Sequence, residues 1–238
     1  VGAHSILSRD KSGTAAIGLM LGVSAHAAGW AFPKGGAQKL PDALAAYLRQ
    51  LGGEIVTDHP VNSLDELPPA PIVMLDTSPR MMTRILGDRV SGWAAALLNR
   101  YRYGAGVFKV DYALSAPIPW KDPEVARAGT VHLGGTLDEV AESERAVELG
   151  AHPRKPFVLL AQHTLFDPTR APAGKHTAWA YCHVPNGSTV DMLERLENQI
   201  ERFAPGFRDV VLARCVRTTT EIERYNPRIT IILNKAKP

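Results

Sequence analysis

Residues 104–114 read Gly-Ala-Gly-Val-Phe-Lys-Val-Asp-Tyr-Ala-Leu, and this stretch decides the fold. Large apolar side chains occupy every second position, which is the period of a strand with one buried face. Lys109 and Asp111 fall on the opposite face. The pattern predicts a strand over 107–114 that packs one face against a core and carries two charges on the other.

Similar signals mark elements on both sides of this strand. Five further segments are short apolar or β-branched runs between turn residues and are predicted strands: 54–57, 72–75, 156–163, 177–184 and 210–216. Prolines or capping side chains mark the starts of four predicted helices: Pro41, Ser78, Thr136 with Glu139 three residues on, and Ser188. The sequence therefore predicts a protein that mixes helices with strands.

Composition bounds the class of protein. The chain has 238 residues, of which 45% are hydrophobic, so it can bury a sizeable core. A net charge of +3 with scattered basic residues argues against a nucleic-acid partner. The two cysteines, Cys182 and Cys215, lie far apart and predict free thiols in a reducing, cytoplasmic setting.

Residues 12–33 contain no charged side chain and are therefore a candidate membrane helix. The segment is rich in Gly and Ala and contains His26, which argues against a membrane span. No charged region with a cleavage site precedes it, so a secretory signal is not expected. The sequence favours a buried helix that lines an apolar cavity, and peripheral contact with a membrane is the alternative.

Several motifs together carry a family resemblance. They are Phe-Pro-Lys-Gly-Gly at 32–36, Gly-Gly-Glu-Ile-Val-Thr at 52–57 with Val61, the strand at 104–111, Ala-Gly-Thr-Val-His at 128–132 with Gly134 and Gly135, and Gln-Ile-Glu-Arg-Phe-Ala-Pro-Gly at 199–206. In these motifs the chain resembles FAD-dependent oxidoreductases of the phytoene desaturase and amine oxidase superfamily. The resemblance extends over nearly all of residues 1–227.

The resemblance implies an α/β (α+β) fold in two interleaved parts. One is the interior part of a FAD-binding domain of the Rossmann type, expected at residues 34–87. The other is a substrate-binding domain with a mixed, largely antiparallel sheet, expected at 1–33 and 88–218. Residues 219–238 would form a tail.

The chain departs from the family pattern at two places. It has no Gly-x-Gly-x-x-Gly turn to hold the flavin pyrophosphate, because Lys109 stands where the third glycine would follow Gly104 and Gly106. After Tyr-Asn-Pro at 225–227, an isoleucine-rich segment at 228–238 replaces the Gly-Gly-Asp continuation and indicates a foreign junction. We therefore expect an interior fragment, prone to poor solubility or to association with a second copy.

Four residues match functional positions of the family. Val61 would pair through its backbone with the flavin adenine, and Gly35 and Gly36 would allow close approach to the isoalloxazine ring. Lys109 would reach the flavin N5 through a water molecule and tune the cofactor. The alternatives are a core valine, a plain turn, and an ion pair between Lys109 and Asp111.

The function implied for the intact protein is hydride transfer from an apolar small molecule to FAD, with the chain alone inactive. A non-catalytic domain that binds an apolar ligand or a partner without flavin is the alternative. His176, Cys182 and His183 are candidate metal ligands. On a strand the two histidines point to opposite faces, and no zinc motif is present, so no metal is predicted.

Overall fold

The structure, a computed structural model, describes residues 2–5 and 12–226. These residues form two compact units. The first unit contains the described residues up to Leu40 together with 105–221. The second contains residues 41–104 and 222–226.

A five-stranded sheet dominates the first unit. Its strands are β1 (Gly106–Leu114), β2 (Thr130–Leu133), β3 (Val158–Ala161), β4 (His176–Val184) and β5 (Val211–Arg217). They lie in the order β2-β3-β4-β1-β5, and every neighbouring pair is antiparallel. The strand predicted at 107–114 is therefore confirmed, and it lies between β4 and β5.

One face of the sheet packs against helix α6 (Leu193–Phe203) and forms the main core. Strand β1 contributes its alternate apolar residues, as its sequence predicts, and each is almost fully buried. Leu196 and Ile200, one turn apart on α6, are fully buried against this face. The predicted helix start at Ser188 is wrong, because α6 begins at Leu193, where Asp191 accepts a hydrogen bond from the Leu193 amide.

Helix α5 (Leu137–Glu148) starts with the predicted capping box. The Thr136 hydroxyl accepts a hydrogen bond from the Glu139 amide, and the Glu139 carboxylate accepts one from the Thr136 amide. Further along the helix, the Ser143 hydroxyl accepts a hydrogen bond from the Phe157 amide just before β3. These bonds position α5 beside the strands that follow it.

The second unit contains helices α3 (Pro79–Leu86) and α4 (Gly92–Asn99). Ser78 caps α3, as predicted, by accepting a hydrogen bond from the Met81 amide. The strands predicted at 54–57 and 72–75 are wrong, since neither segment pairs with another strand in the described residues. Ile72 and Met74 are 77% and 91% exposed, and such segments cannot form a sheet without neighbouring strands.

Three other helices complete the described structure: α1 (Thr14–Ala28), α2 (Lys39–Gln50) and α7 (Thr219–Tyr225). The expectation that α1 is buried is wrong, because none of its residues is buried and Leu19 is 71% exposed. No helix in the described parts of the chain is long and apolar enough to cross a membrane. The segment at 228–238, where the sequence predicts a junction, lies outside the described residues.

Candidate functional site

The face of the sheet opposite the main core carries a lysine between an acid and an aromatic ring. Lys109 forms an ion pair with Asp111, and its ammonium lies 5.9 Å from the centre of the Trp179 ring. Trp179 stands opposite Asp111 in the register of β4 with β1, so all three side chains share one face. Because Lys109 and Asp111 are 31% and 41% exposed, the charged pair is open to a ligand.

Hydrogen bonds fix a turn near the end of the 32–36 motif beside the sheet face that carries Lys109. Asp167 accepts a hydrogen bond of 2.6 Å from the Gly35 amide, and Arg170 donates one of 2.7 Å to the Gly35 carbonyl. Gly35 and Gly36 both have positive φ, at 85° and 100°. The two glycines therefore allow a turn in which Asp167 binds the Gly35 amide and Arg170 binds the Gly35 carbonyl.

A cavity of about 530 Å³ lies between this turn and the sheet. Phe32 and Gly36 border it from the turn, and Asp111 and Trp179 border it from the strands. Its volume is in the range of small-molecule sites. Lys109 contacts two of the bordering side chains, so its charge acts at the edge of the cavity.

Fixed polar groups line the same cavity. His163 shares a hydrogen bond of 2.9 Å with the Thr177 hydroxyl, and burial lowers the pKa of His163. Hydrogen bonds from Thr169 and from the Gly35 amide lower the pKa of Asp167. At neutral pH the cavity thus combines the neutral imidazole of His163 with the ionised carboxylate of Asp167, which already accepts hydrogen bonds from Gly35 and Thr169.

The predicted site residues are distributed unequally. Gly35, Gly36 and Lys109 all lie in the first unit. Gly36 borders the cavity, whereas Gly35 and Lys109 contact side chains that border it. Val61 belongs to the second unit, is partly exposed and lies in neither a helix nor a strand. The ion pair between Lys109 and Asp111, one of the two interpretations of that lysine, is present.

Four polar or aromatic residues of the cavity were not predicted from the sequence: His163, Asp167, Arg170 and Trp179. Asp167 had a usable signal, because Asp-Pro-Thr at 167–169 forms a local cap in which the Asp167 carboxylate accepts a hydrogen bond from the Thr169 amide. No signal in the sequence could have predicted the contacts of Asp167 and Arg170 with Gly35, because they join residues more than 130 positions apart.

No group of three or more His, Cys, Asp or Glu side chains suited to a metal ion occurs in residues 2–5 and 12–226. Cys182 and Cys215 are both free thiols, as predicted. His183, one of the metal candidates, instead lies against the carboxylate of Glu144.

Comparison with known proteins adds no family assignment. No protein-family model matches the chain, and no curated protein matches its sequence.

We predict that Gly36→Ala destabilises the turn beside the cavity. A Cβ at Gly36 would lie 2.6 Å from a guanidinium nitrogen of Arg170, so Arg170 would have to leave the Gly35 carbonyl. Together with the positive φ, this should lower the free energy of unfolding by about 1–3 kcal/mol in a urea titration. Gly174→Ala is the matched control, because Gly174 also has positive φ but a Cβ there would meet nothing. Equal losses in both variants would show that the contact with Arg170 does not matter.

Proposed function

We propose that the chain is the substrate-binding domain and the interior part of the flavin domain of an FAD-dependent oxidoreductase. Oxidised flavin accepts a hydride, and the family resemblance points to an apolar donor molecule. In this proposal the open face of the sheet around Lys109 faces the flavin ring, and the cavity beside it receives part of the substrate.

The observation that carries the proposal is the meeting of two distant motifs. The Gly35–Gly36 turn and the Lys109 strand are separated by about 70 residues in the sequence, yet both lie at one cavity. A cation at the edge of an apolar and aromatic cavity can stabilise negative charge that develops on a bound ring system. The partial exposure of Lys109 leaves it accessible for this role.

The residues around the cavity fit the ring end of FAD and do not include the glycine-rich turn that the family uses for its phosphates. Lys109 supplies a cation for the ring, and the Gly35–Gly36 backbone can approach a flat ligand closely. Gly104 and Gly106 do not form a phosphate-binding turn, because Gly106 begins β1 and a Cβ there would lie 2.5 Å from Thr219. The glycine-rich turn that holds the flavin pyrophosphate in the family is therefore not present in this sequence.

Arg170 provides a competing reason for the glycine at position 36. The direction in which a Cβ would point is already occupied by the Arg170 guanidinium. Tight packing against Arg170 accounts for Gly36 without a flavin, so the proposal depends mainly on Lys109.

The second unit supports the flavin-domain part of the proposal. Its segments 54–57 and 72–75 have the composition of buried strands, but their apolar side chains are exposed. Apolar side chains this exposed call for a covering surface. Further parallel strands of a Rossmann-type sheet would cover them.

The first test is to read the DNA on both sides of the coding segment and to purify the protein from the whole reading frame. An in-frame Gly-x-Gly-x-x-Gly segment upstream and bound FAD in the purified protein would support the proposal. A purified protein that carries no flavin and does not bind added FAD would overturn it.

In the flavin-loaded protein, Lys109→Met is expected to change the rate of flavin reoxidation by about tenfold or more, because a cation beside the reduced ring is lost. Stopped-flow absorbance of the flavin measures this rate. Lys175→Met, at an exposed lysine that does not border the cavity, is the control and should leave the rate unchanged. Unaltered rates in Lys109→Met would leave only the ion pair with Asp111 as a role for this lysine.

A second candidate function is a domain that binds an apolar ligand or a partner protein without flavin. The specific observation in its favour is that the cavity is complete within the first unit, whereas this sequence contains no phosphate-binding turn. Saturable binding of an apolar ligand by flavin-free protein, blocked by Trp179→Arg, is the result expected for this function.

A further inference from the structure

A second cavity in the first unit is rich in positive charge. It is a groove of about 700 Å³ between α5 and α6, closed at one end by the loop 152–155. Four cationic side chains and two carboxylates border it. The cations are Arg154, Lys155, Arg195 and Arg202, and the carboxylates are Glu139 and Glu142. We call it the basic groove. None of its bordering residues belongs to the cavity beside Lys109.

One carboxylate accounts for two of these cations. Glu139 forms ion pairs of 3.0 Å with Arg202 and 3.1 Å with Lys155. Hydrogen bonds from Arg202, from the Thr136 amide and from Lys155 lower the pKa of Glu139 to about 2. This ion-pair cluster joins α5 to α6 and stays charged at neutral pH. It therefore forms one stable side of the basic groove.

The other two cations have no carboxylate partner among the residues the structure describes. Arg195 is half-buried and donates from one guanidinium nitrogen to the carbonyls of His152 and Pro153. These bonds hold the guanidinium in place and leave its other nitrogens available. Arg154 follows directly in the same loop, is exposed, and makes no hydrogen bond or ion pair within the described chain. Two guanidinium groups thus border the groove without an ion pair to any carboxylate of the described residues.

A buried amide that lacks a partner borders the same groove. Gln199 on α6 is only 3% exposed, and its side-chain nitrogen has no hydrogen-bond partner in the described residues. An unsatisfied buried donor is costly, and such groups commonly bind a ligand or an ordered water. This nitrogen is closed off from the groove, so an anion there would accept its hydrogen bond only after the Gln199 side chain turns toward the groove.

We infer that the basic groove is a binding site for a small phosphate-bearing molecule whose phosphate oxygens are held by Arg154 and Arg195. Guanidinium groups suit phosphate because they present paired donors in a fixed fork. The volume leaves room for more than a lone phosphate ion. Glu142, the remaining carboxylate at the groove, is exposed and makes no contact with the two arginines that we assign to the phosphate. The inference does not depend on flavin binding.

The test is calorimetric titration of the 238-residue protein with inorganic pyrophosphate, and in a second arm with ADP, at constant ionic strength. Saturable binding with one molecule per chain is expected. Arg154→Gln should weaken it by about tenfold or more, because one charge-assisted fork is lost. Arg154 makes no contact that supports the fold, so this variant should unfold at the wild-type temperature.

Arg127→Gln is the matched control, because Arg127 is an exposed arginine outside the groove. It should bind pyrophosphate like the wild type. Arg195→Gln tests the second guanidinium, and its melting temperature shows whether the loop has kept its bonds. Absence of saturable binding of both pyrophosphate and ADP would overturn the inference, as would equal weakening by Arg127→Gln. Tighter binding of ADP than of pyrophosphate would support it and place a nucleoside in the rest of the groove.

Discussion

Replacing Glu144 with alanine is expected to lower the free energy of unfolding by about 3–5 kcal/mol, because it removes one partner of a buried pair. The Glu144 carboxylate accepts hydrogen bonds of 2.9 and 3.1 Å from His183, and the two side chains are 1% and 2% exposed. Their loss would leave His183 buried between Phe157 and Tyr181 without its acceptor. Equilibrium unfolding in urea, followed by circular dichroism, measures the change.

Glu142→Ala is the control for this prediction. Glu142 lies on the same helix two residues earlier, but it is exposed and its carboxylate makes no hydrogen bond in the described structure. Its replacement should change the free energy of unfolding by less than about 0.5 kcal/mol. A double variant, Glu144→Leu with His183→Phe, should recover much of the lost stability, because apolar side chains of similar volume can replace a buried polar pair. A loss below about 1 kcal/mol in Glu144→Ala would mean that water reaches this site.

Short-range patterns predicted the parts of the fold in which local and tertiary preferences agree. The alternation over 107–114 predicted both faces of β1 and placed Lys109 and Asp111 on the same face, where their ion pair was one of two interpretations of the lysine. The spacing of Thr136 and Glu139 predicted the start of α5, because a capping box needs only residues four positions apart or closer. Such elements are encoded within a few residues, so the sequence alone suffices.

Other elements depend on partners that a local pattern does not contain. The segments 54–57 and 72–75 have strand composition but need neighbouring strands, which the second unit does not supply. Helix α1 is apolar all round and therefore has no single stripe that would direct one face inward. A hydrophobic run predicts a preference for burial, but only the surrounding chain can provide the surface that buries it.

The pair between Glu144 and His183 shows a signal that could have been used. Glu144 lies four residues after Val140 and three before Val147, on the inward stripe of α5. A carboxylate on such a stripe requires a buried partner. The identity of that partner depends on tertiary packing, because His183 is 39 residues away on β4. The same limit applies to Asp167 and Arg170 at the cavity beside Lys109.

The second large effect expected is a loss of stability as the pH falls from about 6.5 to about 4. Burial lowers the pKa values of His4, His132, His152 and His163 from the ordinary 6.5, and that of His132 falls to about 4. Below pH 6.5 the unfolded chain binds protons on these rings that the folded protein does not, so the free energy of unfolding decreases. Above pH 6.5 the rings are neutral in both states, and below pH 4 His132 is protonated in both.

His132 should contribute most to this loss, because burial lowers its pKa to about 4. Its ring also shares a hydrogen bond of 2.7 Å with His4. Two imidazolium rings could not keep that bond, since both would be donors. Glu144 and His183 interact electrostatically with His4, and Lys121 and Asp122 border the cavity that His132 also borders. The full shift corresponds to about 3 kcal/mol, and partial exposure to solvent reduces the expected contribution to about 1–2 kcal/mol.

Urea titrations at several pH values between 4 and 7 test this expectation, since these limits bracket the pKa values of His132 in the folded and unfolded states. His132→Phe should flatten the dependence on pH, because phenylalanine keeps the stacking on Phe157 but does not titrate. His26→Phe, at an exposed position on α1, should leave the dependence unchanged. Three carboxylates, Asp65, Glu139 and Asp167, have pKa values below their ordinary values of 3.8, 4.5 and 3.8, so they change the stability mainly below pH 4.5. Carboxylates ordinarily titrate about one unit below pH 5, so they do not account for a change in stability above that pH. If the free energy of unfolding of His132→Phe still falls with pH in that range, the loss belongs to the other three histidines.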